Sequence, residues 1–195
     1  MELSKRQIEI VEAATKLIGE KGIQNLTTKH LAAEMDFSEP ALYRHFKGKT
    51  EILKSVLVFF KERLGRGLSD IISSELTGLE QIKAMIDFQF NHFSKNPAVI
   101  MVIFAETSFQ YDSVLSKAVA MIMKQKAKTV AKIVEKGQQQ GVIRNDISAE
   151  QLTTTIMGSM RITILRWRLS NFEFDLIEEG EKLWHTIELL IKKEK

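Results

Sequence analysis

Between Leu26 and Leu53 the chain gathers hydroxyls and cations whose spacing suits grasping a polyanion. Leu42 and Phe46 lie four residues apart on one helical face and can bury, which turns Glu39, Ala41, Tyr43, Arg44 and His45 outward. A helix this short is not stable alone, so its outward residues are expected to be presented to a partner. Lys29, Arg44, Lys47, Lys49 and Lys54 bring the local positive charge that phosphate binding needs. Bond-breaking chemistry has little to work with. His30, His45, His92 and His185 show no HExxH or other metal spacing, the chain has no cysteine, and neither a phosphate-cradling glycine loop nor a nucleophile elbow is present. No enzyme activity, cofactor or metal is therefore expected, with carboxylates such as Glu106 meeting in space as the remaining route to one.

Two short helices must position these groups. Thr27 or Thr28 can cap the first, whose apolar face is Leu31, Ala32 and Met35. The pattern breaks at Asp36 and Phe37. Ser38 then caps a second helix expected over Glu39 to Phe46, with Pro40 in its first turn. Helix, tight turn and second helix with a polar face is the helix-turn-helix arrangement, which sets its second helix in the DNA major groove. The stretch LTTKHLAAEMDFSEPALYRHFKGKTEIL closely resembles the signature of the tetracycline-repressor (TetR) family through Leu31, Ala32, Met35, Phe37, Ser38, Leu42, Tyr43, His45, Phe46, Lys49 and Leu53. Asp36 replaces the usual turn glycine, where positive φ is expected, and Pro40 replaces a frequent glycine.

The resemblance implies that Thr28, Lys29, Tyr43, His45 and Lys49 touch phosphates, while Ser38, Glu39, Ala41 and Arg44 lie nearest base edges. Residue chemistry agrees: lysines supply charge, hydroxyls donate to phosphate oxygens, and the amides opening the helix at Lys49 attract an anion. Arg44 suits guanine, Glu39 suits cytosine N4 and Ala41 a thymine methyl. Plainer roles compete. Glu39 can merely favour the helix dipole, Arg44 can contact phosphate alone, and Tyr43 can serve packing.

With 195 residues and an apolar share of 44%, the chain can build a sizeable core. A net charge of +3 is compatible with nucleic acid but does not demand it, since the first fifty residues hold eight Lys and Arg against seven Asp and Glu. The opening residues resemble neither a signal peptide nor a membrane span, so cytoplasmic residence is expected; the NLT sequon at Asn25 is then accidental. An amphipathic helix is predicted from Leu3 to Glu20, with Ile10, Val11, Ala14, Leu17 and Ile18 inward, ended by Lys21 and Gly22. A long helix follows from Lys49, loosened by Gly65 and Gly67. Further breaks are expected at Gly78, Asn96 with Pro97, near Tyr111, at Gly141 and around Asn171. No alternating strand pattern persists. The expected fold is all-α, about nine helices as the resemblance implies, with a helix-turn-helix domain over 1–47 and a helical sensing and dimerisation domain over 48–195. The sequence resemblance itself is specific for roughly the first quarter of the chain; beyond it only the layout matches.

Helices at about Ala149 to Leu169 and Asp175 to Lys192 are the candidate dimer interface, with Leu176, Leu183, Ile187, Leu190 and Ile191 at near-heptad spacing and Gly158 with Ser159 permitting close approach. Their rival role is monomer core. A homodimer implies a palindromic operator on double-stranded DNA. For a small-molecule effector, largely apolar, the candidate contacts are Met85, Gln89, Met101, Phe104, Gln125, Met157, Met160 and Arg161, since pockets are apolar with a few placed polar groups. Met123 and Thr129 border this set. The plainer reading of each is as core, and Arg161 can pair with an acidic ligand or with Glu106 if it points inward, or belong to a solvated face if outward. The sequence thus points to a transcriptional regulator, most simply a repressor released by its effector. The competing reading keeps the DNA head and makes the C-terminal helices a protein-interaction module without a ligand.

Overall fold

The computed structural model describes residues 3–104, 109 and 112–194. Among the described residues there are nine α-helices: α1 Lys5–Lys21, α2 Thr28–Glu34, α3 Glu39–Tyr43, α4 Lys49–Ser73, α5 Gly78–Lys95, α6 Pro97–Ile103, α7 Ser113–Gln139, α8 Ala149–Leu169 and α9 Leu176–Ile191. A 3-10 turn, Ile23–Asn25, separates α1 from α2. The expected break near Tyr111 and the carboxylate of Glu106 lie outside the described residues.

Two compact units emerge from the packing. Met1–Arg63 with Asn96–Met121 form the first, and Leu64–Lys95 with Ile122–Lys195 the second, so α4 and α7 each supply residues to both. This division of packing differs from the division of labour expected at 47/48.

In the first unit, Ser4 opens α1 with a capping box, its oxygen accepting from the Gln7 amide while Gln7 Oε1 accepts from the Ser4 amide at 3.0 Å. Gly22 closes the helix at φ 77°. Ile10, Val11, Ala14, Leu17 and Ile18 are buried, each worth about 1.5–3 kcal/mol for the larger side chains. On α6 the inward residues are Val99, Ile100 and Val102. α1 meets α6 closely. A Cβ on Gly19 would stand 2.5 Å from the Ala98 Cβ, so only glycine fits.

In the second unit α5 packs on α9, and α9 on α8. Gly180 of α9 lies under the Phe90 ring, where a Cβ would come within 2.5 Å. Gly67 does not loosen α4; the helix runs past it to Ser73, because the Phe88 ring occupies the space a side chain would fill. The Gln81 amide of α5 donates to the carbonyls of Ile71, Ile72 and Ser74, satisfying the orphan acceptors where α4 ends. Between α8 and α9 the chain turns through Asn171 and Phe172, both at positive φ, and Trp167 Nε1 donates to the Phe174 carbonyl at 2.7 Å.

Candidate nucleic-acid interface

Two side-chain caps define the reading head. Thr27 Oγ1 accepts from the His30 amide at 3.0 Å and starts α2, and Ser38 Oγ accepts from the Ala41 amide at 3.4 Å and starts α3. Asp36 adopts φ 55° in the turn, the conformation its position requires. The chain closes there through the Phe37 amide, which donates to the Ala32 carbonyl at 2.8 Å. Leu42 and Phe46 are buried beneath α3. The regular helix ends at Tyr43, three residues earlier than expected, although the Phe46 amide still donates to the Leu42 carbonyl at 3.1 Å.

The outward face is where the spacing puts it. Tyr43 is 51% exposed, and Ser38, Arg44, Lys29 and Lys47 are exposed beside it in sequence. Ala41 and His45 are half-buried, and the His45 carbonyl accepts from Gln7 Nε2 of α1 at 3.1 Å. Thr28 and Glu39 are used differently from the expectation. Thr28 Oγ1 donates to Glu39 Oε1 at 2.7 Å, fastening the start of α2 to the start of α3. The Thr28 hydroxyl proton is thereby engaged, while the second carboxylate oxygen of Glu39 keeps its capacity to accept. Lys49 also has an internal partner: its ammonium donates to the Ile23 carbonyl at 3.3 Å. It edges a cavity of about 210 Å³ beside Thr50 and Asp112, and burial lowers its pKa. Sequence reading missed Arg6, whose guanidinium stacks 4.1 Å over the Phe37 ring and ties α1 to the turn.

The effector candidates divide between the units. Met101 and Phe104 are half-buried in the first. In the second, Met85, Gln89 and Met160 are buried, Met157 and Arg161 are half-buried, and Gln125 is exposed. The inward polar group on α7 is its neighbour Lys126. The Lys126 ammonium donates to Gln89 Oε1 at 2.8 Å, and burial first, with the charge of Arg161 second, lowers its pKa to about 8. A lysine interrupting the stripe Ile122, Val130 and Ile133 was the available signal. The proposed Arg161 pairing with Glu106 lies outside the described residues.

The near-heptad stripe on α9 is also shared out. Leu176 and Ile187 are 1% and 2% exposed, covered by their own chain, because Gly180 brings α9 tightly onto α5. Leu183 is half-buried, and Leu190 is 51% exposed. Among the described residues no group of three His, Cys, Asp or Glu could hold a metal ion, and no helix is long and apolar enough to cross a membrane.

Residues 10–56 match the model of bacterial regulatory proteins of the tetR family, and residues 79–168 match the tetracyclin repressor-like C-terminal domain. The chain belongs to the TetR family. Its fold is the family's all-α arrangement, and it is a DNA-binding transcriptional regulator. The C-terminal match carries the likeness well past the first quarter of the chain, where the sequence alone had placed its limit. Among relatives, the nucleoid occlusion factor SlmA of Vibrio vulnificus is 22% identical over 190 residues, covering 97% of each chain. The fatty acid metabolism regulator protein of Bacillus subtilis is 23% identical over 189 residues, covering 95% of this chain and 94% of its own. The structure of the regulator FadR from Bacillus subtilis in complex with stearoyl-CoA superposes with a TM-score of 0.79 at 20% identity, covering 92% of this chain and 96% of that one. TetR-family relatives of this kind are regulators, not enzymes.

Proposed function

We propose that this TetR-family protein is a homodimeric repressor that reads a palindromic operator and leaves it when a small molecule occupies the second unit. The observation that carries the DNA half is the exposed Tyr43 and Arg44 pair on α3, held by the Ser38 cap and the Thr28 to Glu39 bond. Lys29, Tyr43, His45, Lys47 and Lys49 set register on phosphates, and Arg44, Ser38 and Ala41 read base edges. Functionally, 1–47 is the reading head and 48–195 the sensing and self-association region. Two heads on a two-fold dimer read half-sites about 34–36 Å apart.

Self-association falls to the exposed apolar side chains of α8 and α9, Ile162, Leu169, Leu189 and Leu190, with Gly158 allowing close approach on α8. Release requires the effector to favour the DNA-incompetent arrangement, since equal affinity for both states shifts nothing. α4, which runs unbroken from the reading head into the second unit, is a covalent route for that signal. The likeness to fatty-acid regulators supports a largely apolar effector. The likeness to SlmA favours a second reading, in which the C-terminal helices engage another protein and no effector exists.

Selection of bound sequences from a random DNA pool by the full-length protein tests the proposal. Inverted repeats with centres one helical turn apart are expected, and recovery of a single unrepeated half-site would remove the dimeric repressor.

A further inference from the structure

Gln89, Lys126 and Arg161 come from α5, α7 and α8, and the three helices bring them together within the second unit. Gln89 is 4% exposed, so the Lys126 ammonium that donates to it is drawn in from water. An ammonium carries three donors, and the amide oxygen of Gln89 engages one of them. That oxygen is neutral, and among the described residues no carboxylate hydrogen-bonds to Lys126. Arg161, which has partners of its own, adds positive potential from α8. A buried ammonium held by a neutral acceptor is costly for a fold to keep.

A second observation points the same way. Thr153 Oγ1, on α8, is buried with no hydrogen-bond partner, and Thr153 shares its helical face with Met157 and Met160. The surroundings are apolar at helical spacing. Met85 and Phe93 lie one turn either side of Gln89, Val130 one turn beyond Lys126, and Met157 one turn before Arg161.

We propose that the second unit seats an amphiphile whose anionic group, a carboxylate or a phosphate, is held by Lys126 and Arg161, with its apolar body along Met85, Met157 and Met160. This rests on the sensor reading above and names the chemical class of its effector. Arg161 suits the planar, two-oxygen face of such a group, and Lys126 supplies a point charge. Methionines adapt to varied chain lengths.

The test is calorimetric titration of the full-length protein with decanoate, decanoyl-CoA and decanol, each below its aggregation concentration. Wild type is compared with Lys126→Met, with Lys126→Gln, which keeps a donor for Gln89, and with the exposed control Gln125→Met. Wild type and the control are expected to bind an anionic probe about tenfold or more tighter than decanol. Both Lys126 variants lose that preference while their decanol affinity is unchanged. Lys126-dependent binding of decanoate identifies a carboxylate; dependence seen with the thioester alone identifies a phosphate. Equal affinity for decanol and the anions, no binding of either anion, or a preference that survives in both Lys126 variants would overturn the inference. Operator affinity measured on the same samples separates the two claims. Decanol that binds without discrimination and still releases DNA leaves the sensor standing without its anion site; an anion that needs Lys126 but leaves DNA binding unchanged does the reverse.

Discussion

Burial gives Lys126 a pH signature. Burial and the facing Arg161 charge lower its pKa from 10.5 to about 8, while the unfolded chain keeps the higher value. Below pH 8 both states are protonated and the folded protein bears the full cost of the buried charge. Between about 8 and 10.5 the unfolded state binds more protons, so stability rises with pH relative to a variant lacking the amine. Denaturant unfolding of apo wild type and Lys126→Met at pH 7 and pH 10.5 should show wild type gaining on the order of 2–3 kcal/mol on the variant between the two. A constant difference would mean that the ammonium is solvated. In the reading head, Lys29→Ala should weaken binding to every DNA sequence and make the salt slope shallower by about one unit, as loss of one phosphate contact requires. Lys49→Ala should do the same, since the Ile23 carbonyl engages one of the three donors of its ammonium and leaves two for a phosphate. Arg44→Ala should instead cost about 1–3 kcal/mol on the selected operator and little on random DNA, read by filter binding at fixed salt.

At the scale of elements, local chemistry was legible and long-range partnership was not. Caps, proline and turn residues announced the helix starts at Thr28, Glu39 and Pro97, and Ala149–Leu169 came out at its observed bounds. Asp36 betrayed its positive φ through the glycine it replaces. What sequence could not supply was the neighbour across space. The α9 stripe looked like a partner's surface because nothing in it reveals that the chain's own helices cover Leu176 and Ile187 first. Gln125 and Lys126 differ by one residue, about 100° around a helix, and periodicity over a short window does not resolve that step. Gly67 read as a weak point because the Phe88 ring that demands it is some twenty positions away. The close helix pairs provide the check. Gly180→Val would drive a branched side chain into the Phe90 ring and should destabilise by about 1–3 kcal/mol or more, measured by denaturant midpoint. Gly65→Ala, in open space on α4, should stabilise by up to about 1 kcal/mol.

At the scale of the whole molecule, the proposed homodimer rests on exposed apolar side chains. Ile162 and Leu189 stand on the exposed sides of α8 and α9, and neither is needed by its own chain's core. Ile162→Asp combined with Leu189→Asp should yield a folded monomer in sedimentation, with unchanged helicity and operator affinity reduced to that of a single head. A dimer of unaltered affinity would move the interface elsewhere.

The contact between Gly19 and Ala98 leaves no lost motion between α1 and α6. Helices separated by ordinary side chains can slide a little before either pushes the other, because rotamers yield first. Here backbone nearly meets methyl, so a push of α6 toward α1 finds no side-chain rotamer to absorb it. α1 in turn grips the end of the reading helix through Gln7 and the carbonyl of His45, and its turn through Arg6 on Phe37. The reading head therefore abuts the segment that opens at Asn96 with no yielding side chain between them, and the hydrogen bonds it would make to DNA tolerate only about half an ångström of displacement.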